Sequence, residues 1–469
     1  MAAREAFERG RIGAFALQRM GAFSVDREGG GDVAPIRMAP NVQVFLCLPV
    51  RINFIARQVL LSIFLLLQDR LSKVRSVHGH AQTATQHSRP KRRLTVGDET
   101  EAIPTILTDR HRALGARMAP FGGFQMPIQY DGIVSEHNAV RRGVGLFDTC
   151  HMGEFIIQGA SATSDLDHIL TCNVATLDVG QCRYGLICNP EGGVIDDMII
   201  YRTGETSYMM VVNAGTQGGD FAWIQEQIGD RTELRDVSQE TGKLDLQGPG
   251  APAMLAKLLD DPIDGLTYFR FAENRLDEAT VRVSRTGYTG EIGFELYASN
   301  ATTLVLWDRL LEAGATPAGL GARDTLRLEV GLPLYGHEMS TNRNAGESGF
   351  TSILSPDKEF VGCDAVRRHL DGGSVLTGVV LDGRRAAREG DVIKRVDGET
   401  IGEVTSGSFS PSLGRAIALG YVRREHVQPD QKVMVVTARQ DLPGTLQSTP
   451  LYKKGTARKS LKHFLEVSS

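Results

Sequence analysis

The sequence predicts an α+β protein with mainly antiparallel sheets and a β-barrel-like domain near its C-terminal end. The chain has 469 residues, enough for roughly two to four domains. Its 52 glycines exceed the usual ~7 % and indicate many tight turns. CRYGLIC, VIDDMIIYR and SYMMVVN follow one another closely and predict an antiparallel meander. Beyond Gly373, short strands separated by frequent turns are typical of a small β barrel or sandwich.

Residues 1–102 differ in composition from the rest. Residues 1–97 contain 15 Lys and Arg against 6 Asp and Glu, whereas the remainder contains 37 against 50. We expect a disordered basic leader, best explained by a start assigned too far upstream. The alternative is an organelle transit peptide, which the acidic residues disfavour. The apolar run VLLSIFLLL is far shorter than the ~20 residues of a membrane span, so we expect no membrane attachment.

Residues 103–372 form the predicted body of the protein. Apolar periodicity and capping residues predict helices and strands in alternation, including strands over GEFIIQG and TVRVSR and a hairpin over TGYTGEIGFELYA. Residues 373–455 are the predicted barrel, and we expect residues 456–469 to be a frayed basic tail. The predicted helices are Thr108–Arg117, Asp131–Arg142, one from Ser161 or Thr163 to about Leu170, Phe221–Ile228, Ala251–Leu259 and Thr302–Glu312.

Two features exclude common classes of site. The six cysteines form no C-x-x-C pair and have no zinc-finger spacing, so reduced thiols in a cytosolic protein are expected. The dinucleotide fingerprint, the P-loop, the H-E-x-x-H motif and the G-x-S-x-G elbow are all missing from the sequence.

The segment EGGVIDDMIIY carries the most unusual local pattern. Asp is depleted in strands, yet Asp196 and Asp197 stand between five apolar residues. Because side chains alternate across a strand, the two carboxylates lie on opposite faces. At most one reaches solvent easily, and the other needs a hydrogen-bond donor. A structural acid paired with an Arg or with backbone amides is as plausible here as a functional one.

Other polar residues interrupt apolar segments. Tyr184 and Asn213 belong to the meander, Glu295 lies within GFELY, and Arg323 follows GLGA. Each of these residues, taken alone, is more often structural than functional. The same holds for His151 in CHMGEF.

Several motifs together carry a family resemblance. The sequence contains, in this order, GGFQMPIQY, FDTCHMGEF, NPEGGVIDDMIIY, QGPGA, SRTGYTGEIGFEL, PAGLGARDTLRLE, LYGHEM and GEVTSGSFSPSLGRAIALGYV. It resembles the folate-dependent aminomethyltransferase superfamily from about Pro104 to Tyr452, and SRTGYTGE with GLGARD points to the glycine-cleavage branch. The resemblance implies a three-domain cloverleaf around a central opening that binds tetrahydrofolate, with two interleaved α+β subdomains in residues 103–372.

The resemblance also assigns roles to individual residues. Asp197 matches the family's essential acid, a choice over Asp196 that alternation alone does not make. Glu295 matches a glutamate that binds the pterin ring, Arg323 an arginine lining the folate site, and Tyr452 a C-terminal aromatic residue of that site. No metal is implied. Three further positions near the ligand are Tyr184, Asn213 and Tyr288.

The implied reaction moves a one-carbon unit from an aminomethyl group on the lipoyl arm of H-protein to tetrahydrofolate. Tetrahydrofolate and lipoylated H-protein are the expected partners, without nucleic acid or membrane, and the expected location is the cytoplasm, or the mitochondrion if the leader is a transit peptide. One alternative is a folate-dependent demethylase of another small donor. A non-catalytic folate-binding protein is the other, although its K-G-C-Y-x-G-Q-E segment is missing from the sequence.

Two segments depart from the family pattern. The chain reads NRNAGESGFTSIL where the family often has N-P-x-E-A-G-L-x-W, and GCDAV where it has G-K-x-A-L. The first change leaves the local loop before the barrel undefined by the resemblance. Neither change falls on the predicted site residues.

Overall fold

The computed structural model describes residues 102–355, 357–428 and 430–465, which belong to one compact unit, residues 96–469. The predicted leader, apart from residue 102, and its apolar run VLLSIFLLL lie outside the described residues. No helix in the described part of the chain combines the length and apolar character needed to cross a membrane.

Helices and strands alternate along the described chain. The α-helices are α1 (Thr108–Ala113), α2 (Ile133–Arg142), α3 (Ala162–Ile169), α4 (Gln217–Gln227), α5 (Ala251–Leu258), α6 (Asn300–Glu312), α7 (Leu320–Val330), α8 (Cys363–His369) and α9 (Lys462–Leu465). The first ten strands are β1 (Ile103–Pro104), β2 (Arg117–Phe121), β3 (Phe124–Gln129), β4 (Gly145–Asp148), β5 (Gly153–Gln158), β6 (Cys182–Cys188), β7 (Val194–Arg202), β8 (Ser207–Val212), β9 (Glu233–Asp236) and β10 (Thr241–Gln247). The others are β11 (Phe271–Leu276), β12 (Ala279–Ser284), β13 (Gly293–Ser299), β14 (Thr316–Pro317), β15 (Ser374–Leu381), β16 (Val392–Arg395), β17 (Thr400–Ser410), β18 (Arg415–Arg423), β19 (Lys432–Val436) and β20 (Asp441–Gln447).

The strands form two large sheets, one small sheet and a barrel. A five-stranded sheet of order β6-β7-β8-β5-β9 lies, in sequence, between the strands of a six-stranded sheet of order β11-β12-β13-β10-β4-β14. We call the first the inserted domain and the second the host domain. The predicted meander is confirmed, because β6, β7 and β8 are consecutive antiparallel neighbours. The small sheet has the order β1-β3-β2.

The C-terminal strands close into a barrel of order β15-β18-β17-β16-β19-β20. Among the described strands, only β1 with β3 and β14 with β4 pair in parallel. The predicted α+β class, the mainly antiparallel sheets and the C-terminal barrel are therefore confirmed. Frequent turns connect the strands of this domain, as the sequence predicts. Closure into a barrel leaves no strand with an unpaired edge.

Helix α7 joins the domains. Its Arg327 donates to Glu338 Oε2 at 2.9 Å and to Ser406 Oγ of the barrel at 2.9 Å. Its buried Glu329 accepts from Ser410 Oγ at 2.5 Å and pairs with Arg141 of α2 at 2.8 Å. One face of this helix is therefore held by the barrel and by α2, which leaves Arg323 to turn toward the host domain.

The C-terminal segment corrects one prediction. The predicted frayed tail spans residues 456–469, and its described part, residues 456–465, packs on the host domain. Ala457 N–H donates to Gly290 O at 3.1 Å, Ile292 N–H donates to Thr456 Oγ1 at 2.9 Å, and Leu461 is buried in the host core. Leu461 stands among lysines in the sequence, so the basic composition of this segment gives no sign that Leu461 is buried in the host core.

The departing segments lie beside the inserted domain. NRNAGESGFTSIL forms two short 3-10 helices, Ala345–Glu347 and Thr351–Ile353. Phe350, between them, contacts the Tyr184 ring edge-on at 6.4 Å between centroids. Cys363 of GCDAV begins α8 and is buried in the same cluster. These two segments therefore pack together with Tyr184 in one hydrophobic cluster.

Candidate functional site

The two aspartates of β7 lie on opposite faces of the inserted sheet, as the alternation predicts. Asp196 is fully buried on the face that packs into the inserted-domain core with Met198 and Ile200. Asp197 is half-buried and shares its face with Ile199 and Tyr201, which meet host-domain residues. The prediction that one carboxylate is buried and needs a donor is confirmed.

Asn213 supplies that donor and connects the two aspartates. It follows the last residue of β8, the neighbour of β7. Its backbone N–H donates to Asp196 Oδ2 at 2.9 Å, and its Nδ2 donates to Asp196 Oδ1 at 2.8 Å and to Asp197 Oδ1 at 2.9 Å. Tyr184, on β6, donates its hydroxyl to Asp197 Oδ2 at 3.0 Å. Both Asp197 oxygens therefore have a fixed neutral donor.

The electrostatic setting of Asp197 is unusual. Burial raises its pKa to about 7, and the adjacent Asp196 carboxylate adds to the rise, against the donors Tyr184 and Asn213. None of the ion pairs in the described part of the chain includes Asp197 or Asp196. Asp197 is consequently able to bind or release a proton near neutral pH.

A second group of charged residues lies in the host domain. Glu295 on β13 is directly opposite Asp245 on β10, and Lys243 lies two residues before Asp245 on the same face. Lys243 Nζ donates to Glu295 Oε1 and to Asp245 Oδ1, both at 2.7 Å. Its side chain is fully buried, so two carboxylates compensate a cation that bulk solvent does not reach.

Arg323 extends this arrangement from α7. Its guanidinium donates to Asp245 Oδ2 at 2.5 Å and lies 4.8 Å above the Tyr288 ring. Charges therefore alternate from Glu295 through Lys243 and Asp245 to Arg323, and we call these four residues the charge chain. Burial by itself would raise the pKa of Asp245, but the two cations outweigh it and lower that pKa to about 2.

Tyr201 links the two groups. It shares a face of β7 with Asp197, four residues away, a separation of ~13 Å along an extended strand. Its hydroxyl donates to Glu295 Oε2 at 3.2 Å. The Asp197 carboxylate also adds to the rise that burial causes in the pKa values of Tyr184 and Tyr288. Asp197 and the charge chain therefore border the same region between the inserted and host domains.

The carboxylate of Glu295 is already well occupied. Its Oε1 accepts from Lys243, and its Oε2 accepts from the hydroxyls of Tyr201, Thr286 and, at 3.4 Å, Tyr297. A carboxylate offers about four acceptor positions, so one remains on Oε1. The parallel pair of pterin hydrogen bonds that the resemblance implies would require Tyr201 or Thr286 to move.

The structure brings the predicted residues together unevenly. Asp197, Tyr184 and Asn213 touch directly. Glu295 and Arg323 are joined only through Lys243 and Asp245, and Tyr288 lies under Arg323. Tyr452 stands apart in its contacts, since Arg141 lies 4.3 Å above its ring and its N–H donates to Glu329 O at 2.7 Å.

Sequence reasoning missed Lys243, Asp245 and Tyr201. The signal for the first two is the alternation in KLDLQ, which puts Lys243, Asp245 and Gln247 on one face of a strand. A polar face normally points to solvent, but here all three are buried. His151, predicted to be structural, is buried beside the rings of Phe121 and Phe124, and burial lowers its pKa to about 4.

Within residues 102–355, 357–428 and 430–465, no group of three or more His, Cys, Asp and Glu side chains is arranged to hold a metal ion. The acceptors and donors of the site are instead carboxylates, a guanidinium, an ammonium and phenols. Such a set suits an organic ligand with amide-like N–H groups and a carboxylate of its own.

Comparisons with known proteins agree with this architecture. The model of the GCVT N-terminal domain matches residues 107–358, and that of the glycine cleavage T-protein C-terminal barrel domain matches residues 375–453. An aminomethyltransferase of Halothermothrix orenii is 41 % identical over 353 residues, covering 74 % of this chain and 99 % of the relative. One of Rubrobacter xylanophilus is 43 % identical over 355 residues, covering 75 % and 94 %.

A solved structure extends the likeness to three dimensions. The crystal structure of glycine cleavage system aminomethyltransferase T from Bartonella henselae superposes with a TM-score of 0.71 at 31 % identity, covering 76 % of this chain and 99 % of that one. Family models, sequence relatives and fold agree with one another. The chain therefore belongs to the aminomethyltransferase family of the glycine cleavage system.

Proposed function

We propose that the protein transfers the one-carbon unit of an aminomethyl group on the lipoyl arm of H-protein to tetrahydrofolate. The carbon–sulfur and carbon–nitrogen bonds of the S-aminomethyl group break, and the carbon forms two bonds to folate nitrogens. The products are methylenetetrahydrofolate, ammonia and the dihydrolipoyl arm. The observation that carries the proposal is Asp197, a half-buried carboxylate held by Tyr184 and Asn213 beside the charge chain, in a chain of this family.

Asp197 is the proposed catalytic residue. As an anion beside the reacting folate nitrogens, it would stabilise the cationic, iminium-like character that develops as the carbon–nitrogen bond forms. A pKa of about 7 also lets it hold or release a proton during the exchange. Tyr184 and Asn213 orient its two oxygens and contact the folate from the same side.

The charge chain is the proposed folate-recognition element. Glu295 would accept an N–H of the pterin through the remaining position on Oε1, the oxygen that also accepts from Lys243. Arg323, stacked on Tyr288, presents a guanidinium suited to a carboxylate or carbonyl of the folate. Tyr452 would line the site from the C-terminal segment.

The proposed partners are lipoylated H-protein and tetrahydrofolate, and the proposed compartment is the cytoplasm, with the mitochondrion as the alternative if residues 1–102 act as a transit peptide. Neither nucleic acid nor membrane has a role in the proposal. The body over residues 103–372 and the barrel over residues 373–455 remain the proposed domain division.

The experiment is a coupled assay of purified protein with tetrahydrofolate, measuring methylenetetrahydrofolate and ammonia. Aminomethylated H-protein is the donor, and unloaded H-protein is the matched control. Turnover that requires the loaded donor supports the proposal. Carbon release from a sulfonium or a methylated amine instead would identify a demethylase, and folate binding without turnover on any donor would identify a binding protein.

A further inference from the structure

A third carboxyl group lies behind the two aspartates of β7. Asp220 is in the first turn of α4, which packs on the core face of the inserted sheet. Its side chain is fully buried, and neither carboxyl oxygen has a donor within hydrogen-bonding distance among the described residues. A buried carboxylate left without donors is costly, which favours the neutral, protonated form.

The group that Asp220 faces is the carboxyl of Asp196. Asp220 N–H donates to Thr216 O at 2.9 Å, and Thr216 Oγ1 donates to Asn213 O at 3.1 Å. Asp220 therefore lies one helical turn from the residue that binds Asp196, and each of the two carboxyl groups affects the pKa of the other. Two carboxyl groups form a hydrogen bond only when one of them carries the proton. Asp196 already accepts two hydrogen bonds from Asn213, so it is the natural anion and Asp220 the natural acid.

Among the described residues, no ion pair gives Asp196, Asp197 or Asp220 a compensating cation. The other titratable groups that face them are phenols: Tyr184 and Tyr288 near Asp197, and Tyr335, whose hydroxyl donates to Val194 O at 3.3 Å. Three adjacent carboxyl groups without a cation cannot all ionise near neutral pH.

We propose that Asp220 and Asp196 share one proton and act as positioning residues, with Asn213 between them and Asp197, so that a single negative charge at Asp196 fixes the proton affinity of the catalytic carboxylate. Asp220 O–H donates to Asp196, the ionised Asp196 accepts from Asn213, and the same Asn213 amide donates to Asp197. The kinetic test of this assignment rests on the proposed function, whereas the titration test does not.

The electrostatics agree in direction. Burial, with the Asp196 carboxylate, raises the pKa of Asp220 to about 9, so Asp220 is neutral at physiological pH. Burial also raises the pKa of Asp196, but the donors Asn213, Asp220 and Thr216 limit the rise. Because these sites are coupled, the measurable values belong to the group as a whole.

Three variants separate this arrangement from a purely structural one. Asp196→Asn keeps the size and removes the charge beside Asp197. Asp220→Asn keeps a donor toward Asp196 and cannot titrate. Asp220→Leu keeps the bulk but removes the donor, which forces Asp196 to take up the proton itself. Glu226→Gln, an exposed change on the same helix, is the matched control.

Two readouts follow the proton. One is the pH dependence of kcat, recorded with KM for tetrahydrofolate. The other is a ¹³C NMR titration of protein labelled at the Asp carboxyl carbons, in which Asp197→Asn identifies the Asp197 signal. In Asp196→Asn and Asp220→Leu, we expect the titration midpoint of Asp197 to be at least one pH unit lower than in the wild type. The limb of the kcat–pH profile that reports Asp197 should shift by the same amount, which is a tenfold change in the proton dissociation constant. Asp220→Asn and Glu226→Gln should stay near the wild-type value.

Equal midpoints in Asp220→Asn and Asp220→Leu would overturn the proposal, as would an unchanged Asp197 midpoint in Asp196→Asn. A simple structural role would lower thermal stability or raise KM and leave the midpoint in place. If Asp196→Asn does not fold, the two Asp220 variants decide. If the wild type has no transferase activity, the proposed function fails, and the NMR titration still decides the inference.

Discussion

The candidate site contains two groups of buried or half-buried carboxylates that differ in what lies beside them. In the inserted domain, Asp196 and Asp197 are held by Asn213 and Tyr184, which are neutral donors. In the host domain, Asp245 lies between the cations of Lys243 and Arg323. Burial disfavours ionisation in both places, yet the pKa of Asp197 rises to about 7 whereas that of Asp245 falls to about 2.

The difference teaches that burial alone does not decide the charge of an acid. A cation at 2.5–2.7 Å more than offsets the lost hydration of Asp245. Neutral donors offset it only in part for Asp197. The host-domain group is therefore suited to holding a ligand with fixed charge, and the inserted-domain group is suited to exchanging a proton.

The strongest way to break this contrast is to remove the central cation. Lys243→Met leaves Asp245 with Arg323 alone and Glu295 without a cation. We expect a loss of about 3–5 kcal/mol in the free energy of unfolding, measured by urea denaturation at neutral pH. Adding Glu295→Gln should restore part of the loss, because one uncompensated buried charge disappears. Equal stability of wild type and Lys243→Met would mean that Lys243 is not buried between the two acids.

The second change acts on the inserted-domain group, whose hydrogen-bond donors are neutral. Asp197→Asn keeps the size and the contacts but removes the charge and the proton. Turnover in the coupled assay should fall by about 10²–10³-fold, the typical loss for one preorganised electrostatic contact in a transition state. Circular dichroism should show an intact fold. Near-normal turnover would contradict the catalytic assignment.

A third change tests the charge chain as a ligand-binding element. Glu295→Gln should weaken tetrahydrofolate binding roughly tenfold, because a hydrogen bond to a charged carboxylate contributes about 1.4 kcal/mol more than one to a neutral amide oxygen. The measurement is a calorimetric titration, with the exposed Glu312→Gln as control. Unchanged affinity would argue against the pterin contact and leave Glu295 as a structural partner of Lys243.

The smallest effect is on stability as a function of pH. The folded protein binds the Asp197 proton more tightly than the unfolded chain, so this group stabilises the fold less as pH rises from about 4 to about 7. Over this range the full shift would correspond to about 3 kcal/mol, at about 1.36 kcal/mol per pH unit, but Asp197 is half-buried and solvent screens its charge. Asp197→Asn should therefore gain about 1 kcal/mol in the free energy of unfolding relative to wild type between pH 4.5 and pH 8. Asp245 acts with the opposite sign, since its contribution is lost as pH falls from about 4 toward 2. A constant difference between wild type and Asp197→Asn would show that Asp197 titrates normally.

Much of the inserted-domain group of carboxylates and donors could be predicted from sequence. The period of two in VIDDMIIY places Asp196 and Asp197 on opposite faces, and the short connections of the meander bring Tyr184 and Asn213 to neighbouring strands. Local sequence could not find Asp220, because its proposed partner Asp196 is on another element, and their proximity depends on how α4 packs. The packing of residues 456–465 was not predicted either, because it depends on a single buried residue, Leu461, in a segment whose lysines are exposed.

The sequence by itself determined the strand alternation, the antiparallel class, the C-terminal barrel and, through its ordered motifs, the family, and it led to the prediction that Asp197 is the essential acid. Only the tertiary structure decided which carboxylates meet a cation. Lys243 and Glu295 are 52 residues apart, and they meet because β10 pairs with β13. Electrostatic energies depend on distances of a few ångströms and on burial, and neither quantity exists until the strands have paired.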